Sequence, residues 1–233
     1  MTPTSKNARV AGFLYLLLVI IGPLRLIYIP RTLIVDGNAT ATAHNLATHE
    51  WLFRLGIATD LVGGTLLIFL ALALYRLFEE VDRNHAVLVV ILGGVMPAAI
   101  YFFNVVNDFA AQMLVRGGGF LSVFEKPQRD ALAMLFLNLH DQEVVAAEIF
   151  WGLWLIPLGI LVYRSRFLPR FLGVWLILGG LSYLALSFTG LLMPRYQDMV
   201  FRIGSPARLG EIATMLWLLV MGARVQAVKA PAA

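Results

Sequence analysis

Asp60, Asp108, His140, Glu148 and Glu211 can ionise, hold a cation or move a proton, and each falls within or at the mouth of a long apolar stretch. Arg25, Arg54, Asn104, Asn107, Asp141, Glu143 and Arg208 share that setting. A charged group in hydrocarbon is costly, so it turns to the interior of a helix bundle and pairs there or lines a site. Spacing groups several of them. Asn104 and Asp108 are i and i+4, with Tyr101 at i−3, so the three share one helix face. Asp141 and Glu148 are seven apart and share another face, and Arg208 and Glu211 are i and i+3. Arg54 and Asp60 are six apart and point in different directions, so each needs a partner on another helix. Asp60 and Asp108 against Arg25 and Arg54 is the simplest pairing scheme.

All of these residues belong to the expected outer half of the membrane. Stretches 62–75, 88–100, 150–162, 171–184 and 212–222 carry no charged residue. Salt bridges and interhelical hydrogen bonds that merely lock helices together have no reason to avoid one leaflet. The asymmetry therefore predicts an outward-facing polar pocket lined by Arg54, Asp60, Tyr101, Asn104, Asn107, Asp108, His140, Glu148, Arg208 and Glu211. His140 and Glu143, at i and i+3, form a weak metal pair, but no spaced His motif accompanies them. No metal or other cofactor is expected.

Positioning these residues requires membrane-spanning helices. The chain is 60% hydrophobic and 14% charged, with mean hydropathy +0.80. A soluble domain carries about 25% charged residues. Apolar runs of about 20 residues span a hydrocarbon core, and they predict an all-α bundle of six transmembrane helices in a single domain. The spans run Ala11–Ile29, Leu52–Phe78, Ala86–Leu114, Val144–Tyr163, Phe171–Met193 and Ala207–Ala223. On these boundaries Glu211 lies near the outer end of the sixth span. The first run is too long for a cleaved signal and reads as a retained helix.

The net charge of +4 comes from arginines flanking the spans, which suits membrane anchoring and not nucleic acid. Membrane lipids are the expected partners; the oligomeric state is not readable from the chain. Basic residues divide evenly between the two sides, but Arg164, Arg166 and Arg170 crowd one short loop. Short loops obey the positive-inside rule best, so both termini are placed in the cytoplasm. A weak internal repeat relates residues 9–77 to 169–225, through Arg54-Leu55-Gly56-Ile57-Ala58-Thr59 and Arg208-Leu209-Gly210-Glu211-Ile212-Ala213-Thr214.

Several chemistries drop out. There is no cysteine, hence no disulfide or thiolate site. Lys6, Lys126 and Lys229 all lie outside the spans, so no buried lysine is available for a Schiff base. Bis-histidine haem ligation needs histidines inside helices, and His140 at a helix mouth is the nearest. A proton or ion path needs polar groups through both leaflets. Gly63-Gly64, Gly93-Gly94 and Gly179-Gly180 suit close helix packing better than phosphate binding.

The stretch from Asp36-Gly37-Asn38-Ala39-Thr40 to Leu52-Phe53-Arg54-Leu55-Gly56-Ile57 resembles the DUF4386 family of bacterial integral membrane proteins. So do Ala8-Arg9-Val10-Ala11-Gly12-Phe13, Arg166-Phe167-Leu168-Pro169-Arg170 and Gly210-Glu211-Ile212-Ala213. The resemblance covers nearly the whole chain and implies a six-helix protein of the bacterial inner membrane, without supplying an activity. By resemblance, Arg54, Asp60, Asn104, Asn107, His140 and Glu211 match the family pattern, whereas Asp108 and Glu148 stand outside it. Where family members carry a histidine in the fourth span, this chain has Phe150-Trp151-Gly152-Leu153-Trp154, so a role resting on that histidine does not carry over.

These observations together predict a non-enzymatic membrane protein that binds a small or lipid-like ligand from the outer side. The alternatives are an intramembrane lipid-modifying enzyme using the outer carboxylates, and a small-molecule transporter with an apolar inner gate.

Overall fold

The computed structural model describes residues 3–223. The helices are α1 (Thr4–Leu33), the short α2 (Ala39–Thr48), α3 (Glu50–Phe78), α4 (Arg83–Arg116), α5 (Lys126–Arg164), α6 (Arg170–Leu192) and α7 (Gln197–Leu216), which runs on into a π turn at Trp217–Met221. No strand occurs among the described residues. Five of these helices, α1, α3, α4, α5 and α6, are long and apolar enough to cross a membrane. The expected sixth span is a helix too, but Asp198, Arg202, Arg208 and Glu211 dilute its apolar character. The end of the chain, with Arg224 and Lys229, lies outside the described residues, and so does the placement of the carboxyl terminus.

Local chemistry sets the helix boundaries. The Asn38 side chain accepts from the Ala41 N–H at the start of α2, and Asp82 accepts from Asn84 and His85 at the start of α4. Glu125 and Gln128 form a capping box at the start of α5. The turn after α4 passes through Gly117 and Gly118 at φ of 66° and 88°, a region that glycine enters without penalty.

Three prolines account for the irregular turns inside α1, α4 and α5. Proline cannot donate to the carbonyl four residues back and crowds it. Pro30 leaves the Leu26 carbonyl, and α1 widens to a π segment at Leu24–Tyr28. Pro97 leaves that of Gly93, and α4 widens at Val90–Val95. Pro157 leaves that of Leu153, and α5 breaks at Trp154.

Helix neighbours follow chain order: α1 packs on α3, α3 on α4, α4 on α5, α5 on α6 and α6 on α7, which returns against α1. Glycine makes the α5–α6 contact close. A Cβ on Gly152 would lie 2.6 Å from the Gly180 carbonyl, and one on Gly159 would lie 2.6 Å from that of Gly173. Gly93 and Gly94 are likewise occupied by Trp154 and Ala71.

Two apolar layers result. One, around Leu74, Phe78, Val89, Leu158, Leu172 and Leu218, fills the half of the bundle that contains the α3–α4 and α5–α6 turns. The other, around Ile29, Leu33, Leu46, Phe53, Leu114 and Leu137, closes the opposite end under α2.

Candidate functional site

Arg25 is the hub of the polar residues. It sits in the π segment of α1 and is 7% exposed. Its Nε donates to Asp60 Oδ2 of α3 at 2.7 Å, and one Nη donates to Asp108 Oδ2 of α4, also at 2.7 Å. The same Nη lies 2.8 Å from His140 Nε2 of α5. His140 Nδ1 is 3.3 Å from Asp108 Oδ1. The same Nη is also 3.2 Å from His140 Nδ1, so the guanidinium lies against both ring nitrogens. Asn104 donates to the His140 carbonyl at 3.1 Å, and Asn107 donates to Asn104 Oδ1 at 3.0 Å. The backbone of α5 is thereby pinned to α4 beside the imidazole.

Asp60, Asp108 and His140 are all buried, and their ligand-capable atoms lie within 4.8 Å of one another. Two small cavities touch this centre. One, of about 20 Å³, is lined by Arg25, Asp108, His140 and Asp141 together with apolar residues of the end layer. The other, of about 10 Å³, is lined by Asp60, Tyr101, Asn104 and His140. The larger has room for a single water. The polar centre therefore lies between the two apolar layers, closed by side chains such as Ile29, Leu33 and Phe53.

A second group lies elsewhere in the bundle. Tyr15 of α1 donates to Glu211 of α7 at 2.5 Å, and Tyr183 of α6 faces the same carboxylate. Arg208 donates to Ser182 Oγ at 2.8 Å and stacks over the rings of Tyr183 and Phe201. Glu148 is on the same side, its Oε2 buried without a hydrogen-bond partner among the described residues. The edge contacts Tyr101–Trp151 and Trp151–Tyr183, at 6.4 and 5.9 Å between centroids, join the two groups.

The ten residues expected to line one pocket are thus divided. Asp60, Tyr101, Asn104, Asn107, Asp108 and His140 gather around Arg25, while Glu148, Arg208 and Glu211 form the second group. Arg54 belongs to neither. It is half-exposed and pairs with Glu50 on its own helix at 2.9 Å, where Glu50 also takes Arg116 of α4. The expectation of a partner on another helix therefore holds for Asp60 and fails for Arg54. An i, i+4 carboxylate was within reach, and Arg25 serves both aspartates instead.

The helix that carries Glu211 begins ten residues before the expected sixth span. Helix α7 starts at Gln197, so Glu211 lies fourteen residues in, roughly 21 Å at about 1.5 Å per residue. The polar residues 197–206 hid that first stretch of helix. The weak metal pair is regrouped as well: the structure sets His140 with Asp60 and Asp108, while a Glu143 carboxylate oxygen is buried without a partner among the described residues. Tyr15 and Tyr183 had no sequence signal, because a tyrosine inside an apolar run reads as packing. The arginines matched by the repeat, Arg54 and Arg208, have unrelated surroundings.

Long apolar helices around a buried charge centre define a helical integral membrane protein. The family model described as a domain of unknown function, DUF4386, matches residues 10–222, and the chain belongs to that family. An uncharacterised protein of Archaeoglobus fulgidus is 25% identical over 146 residues, covering 60% of this chain and 83% of the relative. No solved structure matches the chain.

Proposed function

We propose that the protein is a six-span binding protein of the bacterial cytoplasmic membrane, with both termini inside, that holds a small or lipid-like polar ligand at the Arg25 centre. One observation carries this reading. Acceptors from three helices, Asp60, Asp108 and His140, converge on a single guanidinium that leaves carboxylate charge in excess. An excess buried charge is expensive and is relieved by a ligand or by water. The cavities on either side of His140 are where such a ligand begins to enter, and the apolar end layer would have to part to admit it.

The test is native mass spectrometry of the full chain released gently from detergent. A retained mass in the wild type, lost in Asp60→Asn and His140→Gln variants that keep their helical circular dichroism, supports the reading. No retained mass, or one indifferent to both substitutions, removes it. Single cysteines at Ser122 and Asn84, probed in intact cells with an impermeant thiol reagent, test the topology. Labelling at 122 and protection at 84 is expected, and the reverse pattern inverts the bundle.

The His140–Asp108 contact favours a second reading, a lipid-modifying enzyme with His140 as general base. The Arg25 Nη lies within 3.2 Å of both ring nitrogens, so that base is blocked in the closed arrangement.

A further inference from the structure

We propose that Asp60, Asp108 and His140 form a divalent-cation site, and that Arg25 is a tethered cation occupying it in the closed state. The inference rests on the ligand-binding reading above and names the ligand class.

The donor set is that of a metal. It comprises two carboxylates and one imidazole from three different helices, each nine-tenths or more buried, with donor atoms inside 4.8 Å. Around one ion at bond lengths of about 2.1 Å, ligand atoms stand about 3–4.2 Å apart. The guanidinium needs N–H contacts of 2.7–2.8 Å, so it props the same donors slightly wider than an ion would. Replacing it requires each contact to shorten by about 0.6–0.7 Å. The support of the imidazole is already in place. A metal-bound histidine usually donates its other ring N–H to a carboxylate. Here Nδ1 stands 3.3 Å from Asp108 Oδ1, and the Arg25 Nη lies against both ring nitrogens, 2.8 Å from Nε2 and 3.2 Å from Nδ1.

Charge gives independent support for a cation. The acidic groups around Arg25 are Asp60, Asp108 and Asp141. The two buried carboxylates, Asp60 and Asp108, against one guanidinium leave one negative charge in excess, and the exposed Asp141 adds a third carboxylate beside them, so the centre is short of positive charge. An anionic headgroup would deepen the imbalance and find its only cation doubly engaged.

The exchange also has somewhere to go. Asp141 is exposed and lines the larger cavity beside Arg25. Arg25 turning from Asp60 and Asp108 toward Asp141 frees all three ligands and keeps its own charge paired. The cavities abutting His140 leave room for water to complete a coordination shell.

The test uses the full chain in detergent, stripped with a chelator and titrated with Co²⁺, followed by calorimetry and by visible absorption, which reports ligand type. One Co²⁺ per chain is expected, weakened at least tenfold by His140→Gln and by Asp108→Asn. Arg25→Gln removes the competitor and should tighten binding about tenfold; if that variant does not fold, Arg25→Lys, too short to reach both carboxylates, is expected to tighten it in the same direction. Absence of Co²⁺ binding by the wild type, binding unchanged by His140→Gln, or Arg25 variants that bind no tighter, overturns the proposal. An organic mass retained by the untreated protein and lost in Asp60→Asn, with no Co²⁺ uptake, leaves the binding reading standing and this inference fallen. Neither ligand nor Co²⁺ removes both.

Discussion

Arg25 and Asp108 stand 2.7 Å apart across 83 positions of sequence, in a pair whose side chains are 9% and 1% exposed. Removing one member of such a buried pair strands the other's charge, at a cost of about 3–5 kcal/mol. Arg25→Gln therefore lowers the thermal midpoint in detergent steeply, and more than Arg54→Gln, whose partner is exposed at the surface. Adding Asp60→Asn and Asp108→Asn to Arg25→Gln should recover part of the loss. Equal effects of the Arg25 and Arg54 substitutions would contradict the placement of the hub.

Tyr15 and Glu211 form the corresponding tie between α1 and α7. A hydrogen bond to a charged or buried acceptor contributes about 1.5–3 kcal/mol. A double-mutant cycle with Tyr15→Phe and Glu211→Gln, read by denaturation in detergent, should return a coupling of about 1–2 kcal/mol. Additive effects would show that the tie does not form.

Gly159 faces the Gly173 carbonyl so closely that a side chain has no space. Gly159→Val must push α5 and α6 apart, and overpacking of this kind costs about 1–3 kcal/mol. The same change at Gly22, which meets nothing within 4 Å, is the control and should leave the thermal midpoint almost unmoved. A Gly159→Val protein as stable as the Gly22 variant would refute the close crossing.

Asp82 lies in the turn between α3 and α4, outside the spans. It accepts from the His85 backbone N–H, contacts the His85 ring and receives Arg164 at 2.7 Å. The His85 backbone hydrogen bond, reinforced by the His85 ring and Arg164, holds its carboxyl below the usual carboxylate range. A depressed folded-state pKa contributes stability that is fully present above the unfolded value, about 3.9 for aspartate, and fades as pH falls through the folded value. Asp82→Asn should flatten the acid limb of a stability-against-pH profile below about pH 4 and leave the neutral region nearly parallel to wild type. An unchanged acid limb would mean that this contact contributes nothing.

Much of this architecture could be read from the chain. Apolar runs bounded by polar turns determine helices, because hydrocarbon leaves a backbone no other way to satisfy its N–H and C=O groups. The spacing of Tyr101, Asn104 and Asp108 determined that they share a face, and Asp60 could be assigned a partner on another helix, because helical geometry is local. Which cation answers which carboxylate was not local. Arg25 and Arg54 were equivalent candidates in sequence, and only the packing of α1 against α3 and α4 gave both aspartates to Arg25 and left Arg54 with Glu50. Likewise the tie between Glu211 and Tyr15 and the closure of the bundle end under α2 by Ile29, Leu33 and Phe53 depend on how the helices pack against one another. A linear pattern fixes which groups face inward along one helix; the distances between groups on different helices exist only once the bundle has closed.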